Sequence, residues 1–216
     1  MTRAIVVTGT DTDVGKTVLA AALVAALDGY YWKPVQAGLD GETDAEIVQR
    51  LSGMPSGRVL QEVYRLTTAA SPHLAAERDG IEIDFEGLVK APILTQDHAV
   101  IIEGAGGLLV PLNRSLTQIE LFARWGAPVV LVASTRLGTI NHSLLSVEAL
   151  KRRQIPLLGI AFVGDENADS ERTITDMGGV RHLGRLPHLD PLDGASLRAA
   201  FAANFRAEDF LVPVPT

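Results

Sequence analysis

Residues 9–17 read Gly9-Thr10-Asp11-Thr12-Asp13-Val14-Gly15-Lys16-Thr17, between the apolar run Ala4–Val7 and a segment rich in alanine and leucine. A glycine-containing turn that leaves a strand and opens a helix converges backbone amides on one spot. The helix N-terminus adds positive potential there. Gly15 permits close approach of the backbone to an anion, Lys16 supplies a cation for a transferring phosphoryl group, and the Thr17 hydroxyl suits Mg²⁺. The implied chemistry is binding of a nucleoside triphosphate, with Asp13, Val14, Gly15, Lys16, Thr17 and Val18 as the cradle. The loop is longer than the usual spacing, because Thr10 stands at the first glycine position and Gly9 precedes it.

Three further charged residues belong to the same chemistry. In open α/β sheets ligands gather at the carboxyl ends of strands. Lys33 follows the apolar Tyr30–Trp32, and Glu103 follows Ala99–Ile102 and precedes Gly104-Ala105-Gly106-Gly107. Asp44 opens a helical segment after the flexible stretch Gly38–Thr43. Thr17, Asp44 and Glu103 form a hard-oxygen set for Mg²⁺, while Lys16 and Lys33 supply positive charge. Asp44 equally suits a helix cap, as does Thr43 with Glu46 completing a capping box. No nucleophile–base pair accompanies these groups. Phosphoryl transfer by positioning and electrostatics is the chemistry they fit.

The elements that position these residues follow from the hydrophobic pattern. Ala4–Val7, Tyr30–Trp32, Ala99–Ile102, Val129–Ala133 and Leu157–Val163 are mostly continuous apolar runs, as in strands buried on both faces of a parallel sheet. Between them, Lys16–Leu27, Asp44–Leu51, Leu116–Trp125 and Ile140–Arg152 have helical spacing, and a further helix near Asp84–Lys90 ends before Pro92. Strand and helix alternate, which predicts one α/β domain over residues 1–216. Its architecture is a doubly wound, mostly parallel sheet of the phosphate-loop NTPase type. Residues 164–169 read as a polar loop, the acidic residues Asp165, Glu166, Asp169 and Glu171 as a solvated surface, and residues 212–216 as an extended tail. Trp32 and Trp125 read as packing groups, and the five histidines lack a metal spacing.

Composition narrows the partners. A net charge of −7 argues against nucleic acid and anionic membranes, and no apolar run approaches the ~20 residues of a membrane span. The chain has no cysteine, which rules out disulfides and thiolate chemistry and fits a cytoplasmic protein.

Taken in order, Gly9–Thr17, Lys33-Pro34-Val35-Gln36-Ala37-Gly38, Ser71-Pro72-His73, Glu103–Gly107 and Leu137-Gly138-Thr139-Ile140-Asn141-His142 resemble the dethiobiotin synthetases. The elongated phosphate loop is a trait of that family. The resemblance implies a homodimer that uses CO₂, ATP and Mg²⁺ to close a ureido ring on 7,8-diaminopelargonate. It implies that Lys16 and Lys33 stabilise a carbamate and the transferring phosphoryl group, and that Thr17, Asp44 and Glu103 bind Mg²⁺. Gly104, Ala105 and Gly106 adjoin the nucleotide. Thr12 and Ala37 fall at substrate positions, as do Gly138, Thr139, Ile140 and Asn141, where a helix N-terminus meets the substrate carboxylate across the dimer interface. An ordinary helix cap would also account for that last segment. Gly164, Asp165, Leu186, Pro187 and His188 correspond to segments flanking the base.

Two positions depart from the family. Ala37 stands where a hydroxyl residue is common, so a contact there is through the backbone or absent. Gly164 stands where an asparagine commonly reads adenine, which leaves base selectivity open. Two other readings share the phosphate loop: a partition-type nucleotide switch, and another ATP-dependent ligase or amidotransferase. Such switches usually carry a second lysine early in the loop, where this chain has Asp11.

Overall fold

A computed structural model describes residues 4–90 and 98–211. In chain order it contains β1 (Ala4–Gly9), α1 (Lys16–Ala26), β2 (Tyr30–Trp32), β3 (Val35–Ala37), α2 (Asp44–Ser52), β4 (Val59–Leu60) and β5 (Tyr64–Leu66). Then follow α3 (Pro72–Asp79), α4 (Phe85–Val89), β6 (Val100–Gly107), α5 (Gln118–Trp125), β7 (Val129–Ser134) and α6 (Thr139–Arg152). The chain continues through β8 (Leu157–Val163), α7 (Ala168–Gly178), β9 (His182–Leu186) and α8 (Gly194–Asn204). Seven strands form one sheet in the order β4-β2-β6-β1-β7-β8-β9, every pairing parallel. A separate parallel pair joins β3 to β5.

The two-residue period of a strand explains why helices cover both faces. On one face Ile5 and Val7 of β1, Tyr31 of β2, Ile101 of β6 and Val130 and Val132 of β7 pack with Leu19 and Leu23 of α1 and Leu197 and Phe201 of α8. On the other, Val6, Trp32, Val100, Ile102 and Val129 meet Ile119 and Phe122 of α5 and Leu150 of α6. Trp32 and Trp125 lie 5.8 Å apart between ring centroids, and the Trp32 indole N–H donates to the Gln61 carbonyl at 3.1 Å. Both serve packing, as their setting in the sequence suggests.

The expected doubly wound sheet is present, with differences at its edges. Short β3, β4 and β5 lack a long apolar run, and β9 is interrupted by Gly184 and Arg185, so hydrophobic pattern alone does not mark them. The stretch read as a polar loop ends inside α7, whose N-terminus is capped by the Asn167 side chain accepting from Ser170 N–H at 3.2 Å. Glu171 is not part of a solvated surface. It is buried, with His182 Nε2 at 2.9 Å and Arg185 Nε at 3.3 Å, so two basic groups on β9 draw it inward. The expected helix near Asp84–Lys90 is α4, with its caps at Asp84 and Lys90 and so ended before Pro92, while the tail at 212–216 lies outside the described residues.

Candidate active site

The phosphate loop joins the middle of the sheet to α1. Gly9 closes β1 where an added Cβ would come within 2.7 Å of the Val14 side chain and 2.9 Å of the Asp11 carbonyl, so the loop folds tightly over it. Gly15 adopts φ +93°, and a Cβ there would meet Val163 of β8 at 2.8 Å. Both positions need glycine for close approach, and Gly15 also for its left-handed backbone. Beyond Gly15, α1 begins at Lys16, whose buried ammonium donates to the Asp11 carbonyl at 2.9 Å. Burial lowers the Lys16 pKa, with Glu103 and Asp44 opposing that effect.

Strand β2 delivers the second lysine by register. Tyr31 pairs with Ile101 and Trp32 with Ile102 of β6, so the next residue, Lys33, falls beside Glu103. Glu103 lies within β6, paired with Val7 of β1, and is 1% exposed. The Lys33 ammonium donates to Asp44 Oδ2 at 2.5 Å and Glu103 Oε1 at 3.2 Å. Burial alone would lower the Lys33 pKa, but the charges of Glu103 and Asp44 and their hydrogen bonds outweigh it and raise the pKa overall.

Asp44 reaches this point because it is not needed as a cap. Thr43 caps α2 by accepting from Glu46 N–H, and the Glu46 carboxylate accepts from Thr43 N–H at 2.7 Å, the capping-box arrangement. The Asp44 side chain is left to accept from Thr17 Oγ1 at 2.6 Å and from Lys33. Although partial burial raises its pKa, Lys33 and Thr17 hold the carboxyl below the usual aspartate value. Thr17 Oγ1 also lies 2.9 Å from Glu103 Oε1. Oxygens from α1, α2 and β6 thus meet at one point, a donor set of the kind that Mg²⁺ accepts.

The last part of β6, beyond Glu103, is held from the side. Gln118, at the start of α5, accepts from Ala105 N–H at 2.8 Å and donates back to the Ala105 carbonyl. This two-point clasp satisfies both main-chain groups of a residue with no strand partner of its own.

These groups border a cleft of about 760 Å³. Its lining includes Thr12, Asp13, Gly15, Lys16, Thr17, Val18, Lys33, Ala37, Asp44, Glu103, Ala105 and Gly106 from the expected set. Val14 and Gly104 are buried behind it. Ile47, Ala69, Ala70, Ser71, Pro72 and Val110 complete the wall. Ser71 and Pro72 belong to a segment already noted in the sequence, whereas Ile47, Ala69, Ala70 and Val110 carry no chemical signal that would single them out.

The remaining expected residues fall into two groups outside the cleft lining. Gly164 and Leu186 lie at the ends of adjacent strands β8 and β9, with Gly164 N–H donating to the Leu186 carbonyl at 2.9 Å. Asp165 and His188 are exposed nearby in sequence, and Pro187 is half-buried. Contact between Gly15 and Val163 sets the β8 end beside the phosphate loop. Gly138, Thr139, Ile140 and Asn141 form the start of α6, where Thr139 is buried and Asn141 exposed. A second hollow of about 390 Å³ runs between the Gly107–Pro111 segment and α6 and reaches Thr12.

The cleft joins a glycine-rich turn at a helix N-terminus to a cluster of oxygens, and comparison with known proteins shows the family of the chain. The curated dethiobiotin synthetase of Rhodopseudomonas palustris strain HaA2, named ATP-dependent dethiobiotin synthetase BioD, is 63% identical over 211 residues, covering 98% of each chain. A synthetase of the same name from Rhizorhabdus wittichii is 61% identical over 210 residues, covering 97% of this chain and 99% of that one. The chain belongs to the dethiobiotin synthetase family. As a dethiobiotin synthetase it is a ligase-type enzyme of biotin biosynthesis. Residues 3–196 also match a family model described as an AAA domain.

Solved structures place the synthetase fold more broadly. The Pyrococcus furiosus cell division ATPase MinD aligns with a TM-score of 0.57 at 14% identity, covering 98% of this chain and 99% of that one. The Pyrococcus horikoshii septum site-determining protein MinD, complexed with Mg-ADP, aligns at 0.55 and 16% identity, covering 97% and 89%. At such identities the likeness is one of fold. Among the described residues no helix is long and apolar enough to cross a membrane.

Proposed function

We propose that the cleft converts 7,8-diaminopelargonate, CO₂ and ATP into dethiobiotin, ADP and phosphate. One substrate amine captures CO₂ and loses a proton, giving a carbamate. A carbamate oxygen takes the γ-phosphoryl group of ATP and ADP leaves. The second amine then attacks the carbamoyl carbon of this carbamic–phosphoric anhydride; phosphate departs, a proton is lost, and the ureido ring closes.

The observation that carries this reading is the convergence of Lys16, Lys33, Thr17, Asp44 and Glu103 on one cleft beside the phosphate loop. Lys16 faces the triphosphate. Lys33, kept charged by its carboxylate neighbours, sets positive potential where the carbamate meets that phosphate. Thr17, Asp44 and Glu103 would hold Mg²⁺, which when bound shields phosphate charge and favours transfer. Asp13 to Val18 and the Gly104–Gly106 end of β6 embrace the phosphates. Gly164, Asp165, Leu186, Pro187 and His188 border the base, where Gly164 contributes main-chain groups but no side chain.

Thr12 and the Ala37 backbone contact the diamine end of the substrate. Its carboxylate reaches Gly138, Thr139, Ile140 and Asn141 of a second copy, at a helix N-terminus suited to an anion. Leu109 and Leu145, both more than half exposed beside the second hollow, and the fully exposed Leu137 supply apolar surface for the homodimer. The enzyme works in the cytoplasm, without nucleic-acid or membrane partners.

The test combines purified protein, diamine, bicarbonate, Mg²⁺ and a panel of nucleoside triphosphates. Phosphate release that requires both diamine and bicarbonate supports the reading. Turnover indifferent to the diamine but accelerated by DNA or lipid refutes it in favour of a nucleotide switch.

A further inference from the structure

One buried polar group beside the cleft has no part in the chemistry above. Tyr31 is completely buried in β2, and among the described residues its phenol has one partner: it donates to Glu103 Oε2 at 2.9 Å. A strand presents alternate residues to one face, so Tyr31 and Lys33 point the same way and flank Glu103 along its own strand. The two take different oxygens. The phenol holds Oε2, while Oε1 meets Lys33 and Thr17.

We infer that Tyr31 is a positioning residue, which fixes the Glu103 carboxylate so that Oε1 alone is presented to the cation and phosphates. The inference rests on the proposed role of Glu103 as a cation ligand. A carboxylate at the end of two rotatable side-chain torsions and a terminal one can turn either oxygen toward a ligand. Holding one oxygen from behind selects the orientation before the ligand arrives, and such supporting hydrogen bonds govern metal affinity in many sites. The aromatic ring suits this task because it also fills the core beneath the site, among Ile5, Ile101 and the alanines of α1.

Tyr31→Phe keeps the ring and removes only the donor. The measurement is Mn²⁺ binding by electron paramagnetic resonance, with the protein saturated by a non-hydrolysable ATP analogue, beside Glu103→Ala and the double variant. Tyr31→Phe is expected to weaken Mn²⁺ binding about 10-fold, the lower end for loss of a supporting hydrogen bond. Glu103→Ala is expected to weaken it further, with no added loss in the double variant. Unchanged binding in Glu103→Ala refutes the ligand assignment itself. Weakened binding in Glu103→Ala with unchanged binding in Tyr31→Phe overturns the role of Tyr31 alone. An equal Tyr31→Phe loss with and without Glu103 also overturns it, because the phenol would then act through something else.

A second measurement needs no change to the site. The chain has three tyrosines, so ring-¹³C-labelled protein gives few phenol signals, assigned with Tyr30→Phe and Tyr64→Phe. Mn²⁺ with the analogue should broaden the Tyr31 signal strongly. A Tyr31 signal that stays sharp places the phenol away from the cation and overturns the inference.

Discussion

Replacing Lys33 with methionine keeps most of the side-chain volume but leaves two carboxylates without the cation between them. The ammonium lies 2.5 Å from Asp44 and 3.2 Å from Glu103, and the side chains of Lys33 and Glu103 are 7% and 1% exposed. At the longer distance an effective dielectric constant of about 20 gives roughly 5 kcal/mol of attraction, part of it offset by desolvation. Removing one partner of a buried pair costs about 3–5 kcal/mol. For a chain of this size each kcal/mol shifts the melting temperature by about 2–4 °C. Lys33→Met should therefore melt about 6–20 °C lower in the absence of divalent cations.

Millimolar Mg²⁺ should restore more of that loss than it adds to the unmodified enzyme, since the same carboxylates then have a cation again. Calorimetry of both proteins with Mg²⁺ and with chelator reads this difference directly. Dethiobiotin formation should remain at least about 100-fold down even with Mg²⁺, the scale for loss of a preorganised electrostatic group. Equal melting temperatures for the two proteins, or equal Mg²⁺ responses, would refute the idea that Lys33 neutralises this pair.

The pH dependence of stability has opposite signs at the two ends. Asp44 has a depressed pKa, so its contribution is present above the usual aspartate range and fades as pH falls through the folded-state value. Lys33, with a raised pKa, contributes fully below the ordinary lysine value and loses that contribution as pH rises through the folded-state one. Urea titrations should show Asp44→Asn flattening the acid limb and also shrinking the alkaline limb, because Asp44 is one of the two carboxylates that raise the Lys33 pKa. Gly15→Ala should cost at least about 1–2 kcal/mol from left-handed backbone alone, with further loss from contact with Val163, and calorimetric titration should show weakened nucleotide binding. Gln118→Ala strands the buried side of Ala105 and should cost about 1–3 kcal/mol in denaturant melts. Its kinetic signature is a raised ATP KM, because the Gly104–Gly106 end of β6 loses its clasp.

Much of this site is legible in the linear sequence because parallel sheets announce themselves. Continuous apolar runs locate β1, β2, β6, β7 and β8, and their carboxyl ends locate Gly9, Lys33 and Glu103. Chain order alone does not reveal that β6 lies between β2 and β1, yet that placement sets Glu103 between Lys33 and the phosphate loop. The choice between Asp44 and Thr43 as helix cap is likewise settled in space, by where each side chain finds a partner. Tyr31 hides among core aromatics, and its only local signal is that it stands two residues before Lys33. Glu171 misleads for a related reason: acidic neighbours suggest solvent, while its basic partners come from a strand eleven or more residues later.

The two tryptophans are the only ones in the chain, and one of them immediately precedes Lys33. Their rings touch across the boundary between β2 and α5, the strand that leads into the lysine and the helix that grips Ala105 of β6. Native emission is therefore a built-in optical gauge of how those two supports stand to one another. Stopped-flow fluorescence can follow ligand arrival from both sides of the reaction centre without a dye, a label or an altered residue.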